Sequence, residues 1–451
     1  MKSVLVLLNS DRFAIPLINY LADEGKVYGW KVTLASMFDL DLFNRMKENG
    51  RADLTYKHFK DQKQCDKEIR QCELVIGLMP DLMLLNVVDT CIRHSKKLIS
   101  PTRLNRQLFA KKSQAEENDA LILVECGFTP GLDHITAKKM IDHIHAKGGR
   151  ISSFKTYSGN LLAENSIDNP WAFKLSGPAY DILNFGKGQN RYLINGQLQH
   201  IPYHQLFMRT EPISITGIGD VVMVPEDDGL YCRKVYDLPE TGTVMKARIV
   251  RKEFGSVWEL ILRLGLTNAS HKIEMPTDPS FRNFLRSLVP FSTSESLETL
   301  LKHHVEATDA DIDKLKWLGL LDDEWFEGIR EITPAVMLQY LMERRLSMRE
   351  DDRDVIVVRH ELEYTLNSYS YKFNATLISE GTNFQHSALA KAISLTTGAA
   401  AKAVLVGNIK VKGVHTPVKK EIYDPVLNEL EDLGIAFVVE EKRSQEVDMK
   451  V

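Results

Sequence analysis

The chain has 451 residues, 44% hydrophobic and 26% charged, with a formal charge of −4. That length is too great for one hydrophobic core and implies two or three domains of ordinary globular composition. The balanced charge offers no basic field, so nucleic acid is not expected as a partner.

Residues 2–8 (KSVLVLL) read as a strand, and AIPLINYLADEG as the helix that follows, with Gly25 as its stop. Asp11 and Arg12 interrupt this apolar run and no basic leader precedes it, so neither a signal peptide nor a membrane span is expected. KVTLAS (31–36), CELVIGLMP (72–80), KKLISP (96–101) and ALILVECG (120–127) are further strands, with helix-like LMLLNVVDTCIRH between two of them. Strands alternating with helices at this spacing predict a parallel, doubly wound sheet. From 150 to about 250 the texture turns β-rich, and residues 256–346 are mostly helical. DVIVVRHELEY and SYKFNATLIS then read as a β-hairpin. SALAKAISLTTGAAAKAVLVG reads as a small-residue helix that packs closely, and EEKRSQEVDMKV as a frayed tail.

Five cysteines (Cys65, Cys72, Cys91, Cys126, Cys232) form no CxxC pair and read as reduced thiols of a cytoplasmic protein. His143 with His145 and His303 with His304 lack the i, i+4 spacing of helical ligands, and HExxH is absent, so no metal is expected.

The segment Glu125–Ser176 carries a long composite pattern. Gly127, Pro130, Gly131, Asp133 and His134 open it; Gly148, Gly149, Phe154, Tyr157, Gly159, Leu161 and Ala163 continue it. Asp168, Asn169, Pro170, Lys174 and Ser176 close it. In this the chain resembles the saccharopine reductase family (saccharopine dehydrogenase, glutamate-forming), whose pattern runs G-L-D-P-G-I-D-H, G-G-K-I-x-S-F-x-S-Y-C-G-G-L-P-A-P-E and D-N-P-L-G-Y-K-F-S-W. The resemblance implies an α/β fold: a Rossmann-like doubly wound parallel sheet plus a mixed α+β substrate and dimerisation domain with a helical insertion. It places the nucleotide-binding domain at 1–126, completed by about 385–451. The mixed-sheet domain would be 127–250 with about 350–384, and the helical subdomain 251–349. It also implies a homodimer, NADP(H) or NAD(H) as cofactor, and a small amino-acid-type substrate; no membrane partner is expected.

At two positions that line the family's reacting centre the chain departs from the pattern. The family's Asp before Pro is Thr129, and its Cys after Tyr is Ser158. A hydroxyl donates hydrogen bonds, but its pKa lies too far from neutrality to replace a carboxylate as proton acceptor. Asp133 is the nearest remaining carboxylate, either a helix N-cap or a catalytic group. Gly127, Lys174 and Ser176 match the family's substrate loop, although Lys174 and Ser176 read equally as surface residues. The family's strand Arg corresponds to Lys246, and Arg248, two residues on, shares its face.

The cofactor loop departs as well. Where the family has G-x-G-F-V-A-x-P, this chain has Asn9, Ser10, Asp11, Arg12, Phe13, Ala14, Ile15 and Pro16. Asn9 tolerates the tight turn, but Asp11 puts a carboxylate where a pyrophosphate would sit, unless it caps the helix through the same N–H groups. The second strand ends in Ala35, Ser36 and Met37, without the family's Arg for a 2′-phosphate or the acid of NAD enzymes, and Asp39 comes late. After the fourth strand, Pro80 and Asp81 stand where the family carries Pro and an aromatic; Asp81 is a helix cap or a relocated acid.

Two functions follow: an oxidoreductase acting on an amino-acid-derived imine or secondary amine, including polyamine-type amines, or a non-catalytic descendant that keeps fold and dimer. The intact DNP-to-KLS segment favours the first; the replaced glycines, Thr129 and Ser158 favour the second.

Overall fold

The computed structural model describes residues 1–9, 13–38, 41–48, 51, 53–226, 228–274, 279–329 and 331–446. The chain forms two compact units, Met1–Ile151 with Glu363–Val451, and Ser152–Leu362.

The first unit begins with β1 (Ser3–Leu8), α1 (Ile15–Tyr28), β2 (Lys31–Ser36), α2 (Asp41–Glu48), β3 (Thr55–His58), α3 (Gln62–Gln71) and β4 (Leu74–Leu78). It continues through α4 (Asp81–Arg93), β5 (Lys97–Ile99), two short helices α5 (Arg106–Phe109) and α6 (Lys112–Glu117), β6 (Leu121–Leu123) and α7 (Leu132–Ala146). The strands pair in parallel in the order β3-β2-β1-β4-β5-β6. That is the doubly wound order of a dinucleotide-binding sheet. Both faces of such a sheet are covered, which is why its strands read as unbroken apolar runs. On one face Leu5, Leu7, Val75 and Ile122 pack with Ile69, Leu84, Val88 and Cys91 of α3 and α4. Fully burying each such side chain contributes roughly 1.5–3 kcal/mol.

α1 runs through Gly25 and stops at Gly29, whose φ of 69° supplies the left-handed residue. Gly25 is instead a close-packing position, where an added Cβ would lie 3.3 Å from the Trp30 carbonyl oxygen.

The second unit is threaded by β7 (Arg150–Leu162), α8 (Ala179–Leu183), β8 (Arg191–Ile194), β9 (Gln197–His200), β10 (Glu211–Ile215), β11 (Gly219–Pro225), α9 (Gly229–Val235) and β12 (Thr243–Val250). The helical stretch follows as α10 (Lys252–Arg263), α11 (Phe281–Ser287), α12 (Leu297–Val305), α13 (Asp309–Leu318) and α14 (Pro334–Arg345), with a two-residue ribbon of β13 (Ile273–Glu274) and β14 (Glu331–Ile332). Strand β15 (Asp354–Leu366) then leads the chain back to the first unit. The sheet here is mixed, in the order β10-β11-β12-β7-β15, with β12 parallel to β7 and antiparallel to β11. Trp171, Phe254, Trp258, Phe284, Leu315 and Leu338 centre the core of the helical part.

Back in the first unit come β16 (Tyr369–Glu380), α15 (Ala388–Val406), β17 (Gly413–His415), α16 (Lys420–Asp432) and β18 (Val438–Glu446). β17 adds in parallel beside β6, so a C-terminal segment completes the doubly wound sheet. The first unit takes in α7 and the segment from Glu363 onward, so its bounds differ from the expected 1–126 with about 385–451. α15 is long and apolar enough to cross a membrane by composition, but most of it is buried. Its small residues admit α1: an added Cβ at Gly398 would lie 2.6 Å from the Tyr20 ring. Lys402 ties α1 to α16 through Glu24 (3.0 Å) and Glu429 (2.8 Å).

The expected frayed tail is a strand as far as Glu446, because β18 pairs antiparallel with β16. Side-chain contacts from Glu441 to Tyr364 and from Arg443 to the Tyr369 ring reinforce this ladder.

Candidate functional site

In the first unit, the C-terminal ends of β1, β2 and β4 form the edge where doubly wound sheets bind ligands. Asn9 closes β1 with its N–H on the Leu78 carbonyl at 3.1 Å. Its buried side-chain oxygen has no hydrogen-bond partner among the described residues. Phe13 takes a positive φ of 64°, and its carbonyl accepts from the Ser394 hydroxyl of α15. The N-cap of α1 is Ala14, with no side-chain cap and no acidic residue in the first turn. The helix therefore begins with its N–H donors uncovered by any described side chain, the arrangement that suits a phosphate. Ser10, Asp11, Arg12 and Asp39 lie outside the described residues. At the end of β2, Met37 (41%) and Phe38 (47%) are exposed, an apolar platform of the sort a purine covers. These features fit a dinucleotide.

Pro80 is the N-cap of α4 and Asp81 its first residue. Asp81 does not cap through its side chain. It accepts from the Asn105 amide at 3.2 Å, fixing the α5 segment, while its charge suits the positive end of α4.

The loop Glu125–Asp133 is bound on itself. Gly131, at φ 148°, is pressed so closely on Gly127 that a Cβ would sit 2.2 Å from the Gly127 carbonyl oxygen. Asp133 is buried at 1% exposure. The N-cap of α7 is Gly131, so Asp133 is the second helical residue and not the cap. One carboxylate oxygen accepts from the Gly131 and His134 N–H groups at 2.8 and 2.9 Å. The other accepts from the Thr129 hydroxyl at 3.0 Å. The structure thus joins two of the three expected catalytic residues, with Asp133 already holding three donors. Beneath them Glu125, fully buried, takes the Leu104 N–H at 3.0 Å and lies 3.7 Å from the His134 imidazole.

In the second unit the polar candidates share one face of the sheet. Thr156 pairs in register with Lys246, and Ser158 with Arg248. Asn160 follows at the same period along β7. Ser158 (6%) and Lys246 (9%) are buried. Asn160 donates to the Ser176 hydroxyl at 2.7 Å, and its own side-chain oxygen is buried with no partner among the described residues. His360 of β15, at 0% exposure, meets the Thr156 hydroxyl at 2.9 Å. The opposite face, with Tyr157, Met245, Ala247, Ile249, Val355 and Val357, is apolar. A polar row ending in an unsatisfied carboxamide oxygen, within an otherwise apolar sheet, marks a ligand-facing surface.

Two expected carboxylate binders are engaged elsewhere. Arg248 grips Glu226 through two bonds of 2.8 and 3.2 Å and stacks 4.2 Å from the Phe185 ring centre. Lys174 is buried between Asp352 (2.6 Å) and Asp168 (3.0 Å), so it is neither a surface residue nor an open ammonium.

Asn160, His360 and Glu226 escaped the sequence reading. His360 alternates with Val358 and Leu362 in an apolar strand, and that interruption of the period was its only signal. All five cysteines are buried, and burial pushes the Cys65 and Cys72 thiols up to about 12, which leaves them protonated at neutral pH. Among the described residues no cluster of His, Cys, Asp or Glu is placed to hold a metal.

Residues 127–435 match the saccharopine dehydrogenase C-terminal domain family. Saccharopine dehydrogenase [NADP(+), L-glutamate-forming] of Pyricularia oryzae is 25% identical over 96% of this chain and 97% of its own length. The mitochondrial alpha-aminoadipic semialdehyde synthase of Bos taurus is 25% identical over 97% of this chain, which spans 48% of that longer protein. In fold, the apo saccharopine dehydrogenase (L-Glu forming) of Saccharomyces cerevisiae superposes with a TM-score of 0.86 at 24% identity, covering 99% of this chain and all of that one.

Proposed function

The chain belongs to the saccharopine dehydrogenase family, and from that membership we propose that it is a nicotinamide-dependent oxidoreductase acting on the CH–NH bond of an amino-acid-derived secondary amine or its imine. The observation that carries this reading is the polar row Ser158, Asn160, Lys246 and His360–Thr156 on one sheet face, with Asn160 lacking a partner for its carbonyl oxygen. The non-catalytic reading is not favoured, since curated relatives matched along nearly their whole length are dehydrogenases.

When bound, the nicotinamide group supplies the hydride acceptor or donor. Asn9, Phe13 and Ala14 would line its pyrophosphate, with Met37 toward the adenosine and Pro80 and Asp81 toward the nicotinamide. In the second unit, Ser176 and Lys246 would hold an amino-acid-type substrate through hydrogen bonds and charge, and Asn160 would orient it. Thr129 and Ser158 occupy the positions of the family's proton-handling residues and offer hydroxyls there. Asp133, with one oxygen on Thr129, would polarise that hydroxyl and not collect the proton itself.

Titration with NADPH and NADH, read by calorimetry, tests the cofactor. Binding is expected to be weaker than for a glycine-loop enzyme, and Asp11→Gly to strengthen it by roughly 1 kcal/mol or more by removing like charge near a phosphate. Absence of binding by either nucleotide would sink the reading; unchanged affinity in Asp11→Gly would refute repulsion between Asp11 and the phosphate. A homodimer belongs to the same reading, on the family resemblance, and sedimentation at micromolar concentration should give about twice the chain mass of 51.3 kDa. A cytoplasmic setting suits the buried thiols, and cell fractionation would check it.

A further inference from the structure

A cavity of about 430 Å³ in the first unit lies outside the row and loop described above. Ile15 and Asn19 of α1 form one wall, Arg45 and Met46 of α2 another, and Arg51 and His386 complete it. Among the described lining residues there is no carboxylate. We propose that this cavity binds a phosphomonoester.

Charge and geometry carry the assignment. Two guanidiniums and an imidazole converge on one space, and the planar donor fork of arginine matches phosphate oxygens. Arg45 already has Asp41 as an acidic partner, and Arg51 has Asp23 and, at 4.0 Å, the 28% exposed Asp53; none of these three lines the cavity. Asp41, 3.2 Å from Arg45, is 75% exposed, and Asp23, 2.8 Å from Arg51, is 64% exposed. Exposed pairs of this kind hold loosely, so a dianion inside the cavity can take over the guanidiniums while the carboxylates return to water. Asn19 adds an amide donor, and Ile15 and Met46 give an apolar flank for the carbon skeleton carrying the phosphate. The volume is large enough for a phosphorylated sugar and not only for the free anion.

Arg45 is also the first cation after the end of β2, which itself carries none. The phosphate has two possible sources, free phosphate or the ribose phosphate of a phosphorylated dinucleotide, and only the second rests on the cofactor reading above.

Calorimetry with inorganic phosphate, 2′,5′-ADP and 5′-AMP tests the site in the full chain. The unmodified protein should bind 2′,5′-ADP about tenfold or more tightly than 5′-AMP, and Arg45→Gln with Arg51→Gln should abolish that preference. Asn19→Asp, nearly isosteric, should do the same by placing a carboxylate in the cavity, which guards against a double variant that merely misfolds. Phosphate binding that both variants lose, without any preference for 2′,5′-ADP, would support the site with free phosphate as its ligand. If neither phosphate nor 2′,5′-ADP binds, or if both variants bind them as the unmodified chain does, the proposal is overturned. Loss of phosphate binding in the variants of a chain that binds neither NADH nor NADPH would leave the site standing and the cofactor reading refuted.

Discussion

The double variant Thr129→Asp with Ser158→Cys is expected to turn over saccharopine about 100- to 10,000-fold faster than the unmodified chain, the range contributed by positioned acid–base groups. The family resemblance places a carboxyl and a thiol at these two positions, whereas this chain has hydroxyls. The surroundings accept the change at Thr129 in an informative way. Its hydroxyl lies 3.0 Å from the Asp133 carboxylate, so a carboxyl there would meet a second acid at contact distance. Two such groups cannot both ionise readily, and one proton is retained near neutral pH, which is what a general acid requires. Ser158 is nearly isosteric with Cys and is only 6% exposed, so that exchange should repack locally. The assay needs saturating NADPH, or an Asp11→Gly background, so that weak cofactor binding does not hide a repaired pocket. No gain under those conditions would remove these positions from proton transfer. Rapid turnover by the unmodified chain would assign the step to other groups.

Lys174→Met is expected to lower stability by about 3–5 kcal/mol, the usual result of breaking a buried ion pair from one side. The Lys174 side chain is 4% exposed and that of Asp352 3%, and their atoms approach to 2.6 Å. Methionine fills the volume but leaves the Asp352 charge buried with Arg349 as its remaining partner, at 3.8 Å. Adding Asp352→Asn should recover much of the loss, because the uncompensated charge is then gone. Thermal and denaturant melts decide the matter. A raised KM with an unchanged melt would instead mean that Lys174 holds substrate. The second carboxylate on Lys174, Asp168 at 3.0 Å, adds a pH signature. Burial alone would raise the Asp168 carboxyl, but the hydrogen bond and charge of Lys174, with the Asn169 amide and Arg349, together outweigh it and hold that group below its usual value of 3.8. A depressed carboxyl contributes stability above its unfolded pKa and loses it as pH falls through the folded one. Acid sensitivity below about pH 4 should therefore be smaller in Lys174→Met.

The sequence by itself determined the doubly wound sheet, because a parallel sheet covered on both faces demands apolar runs and helical connections that show in the chain order. It also determined the family, through the motif from Gly127 to Ser176, and the close packing of the small-residue helix that meets Tyr20 at Gly398. The end of α1 was misplaced at Gly25, since either glycine can stop a helix and only the φ of Gly29 shows which one does. The tail became strand β18 because a partner 60–80 residues away offered its backbone, and local charge says nothing of that. Asp133, Lys174 and Arg248 were legible as charged residues of the right kind, but whether a charge is open to a ligand depends on what folds against it. Asp352, Glu226 and the Thr129 hydroxyl are those neighbours, and two of the three are distant in sequence. His360 and Asn160 became candidates only once register set them beside Thr156 and Ser176. The cavity of Arg45, Arg51 and His386 likewise exists only in the fold, where chain segments more than 330 residues apart meet. Periodicity reports which side of an element is buried; electrostatic partners are chosen across space, so tertiary structure alone decides them.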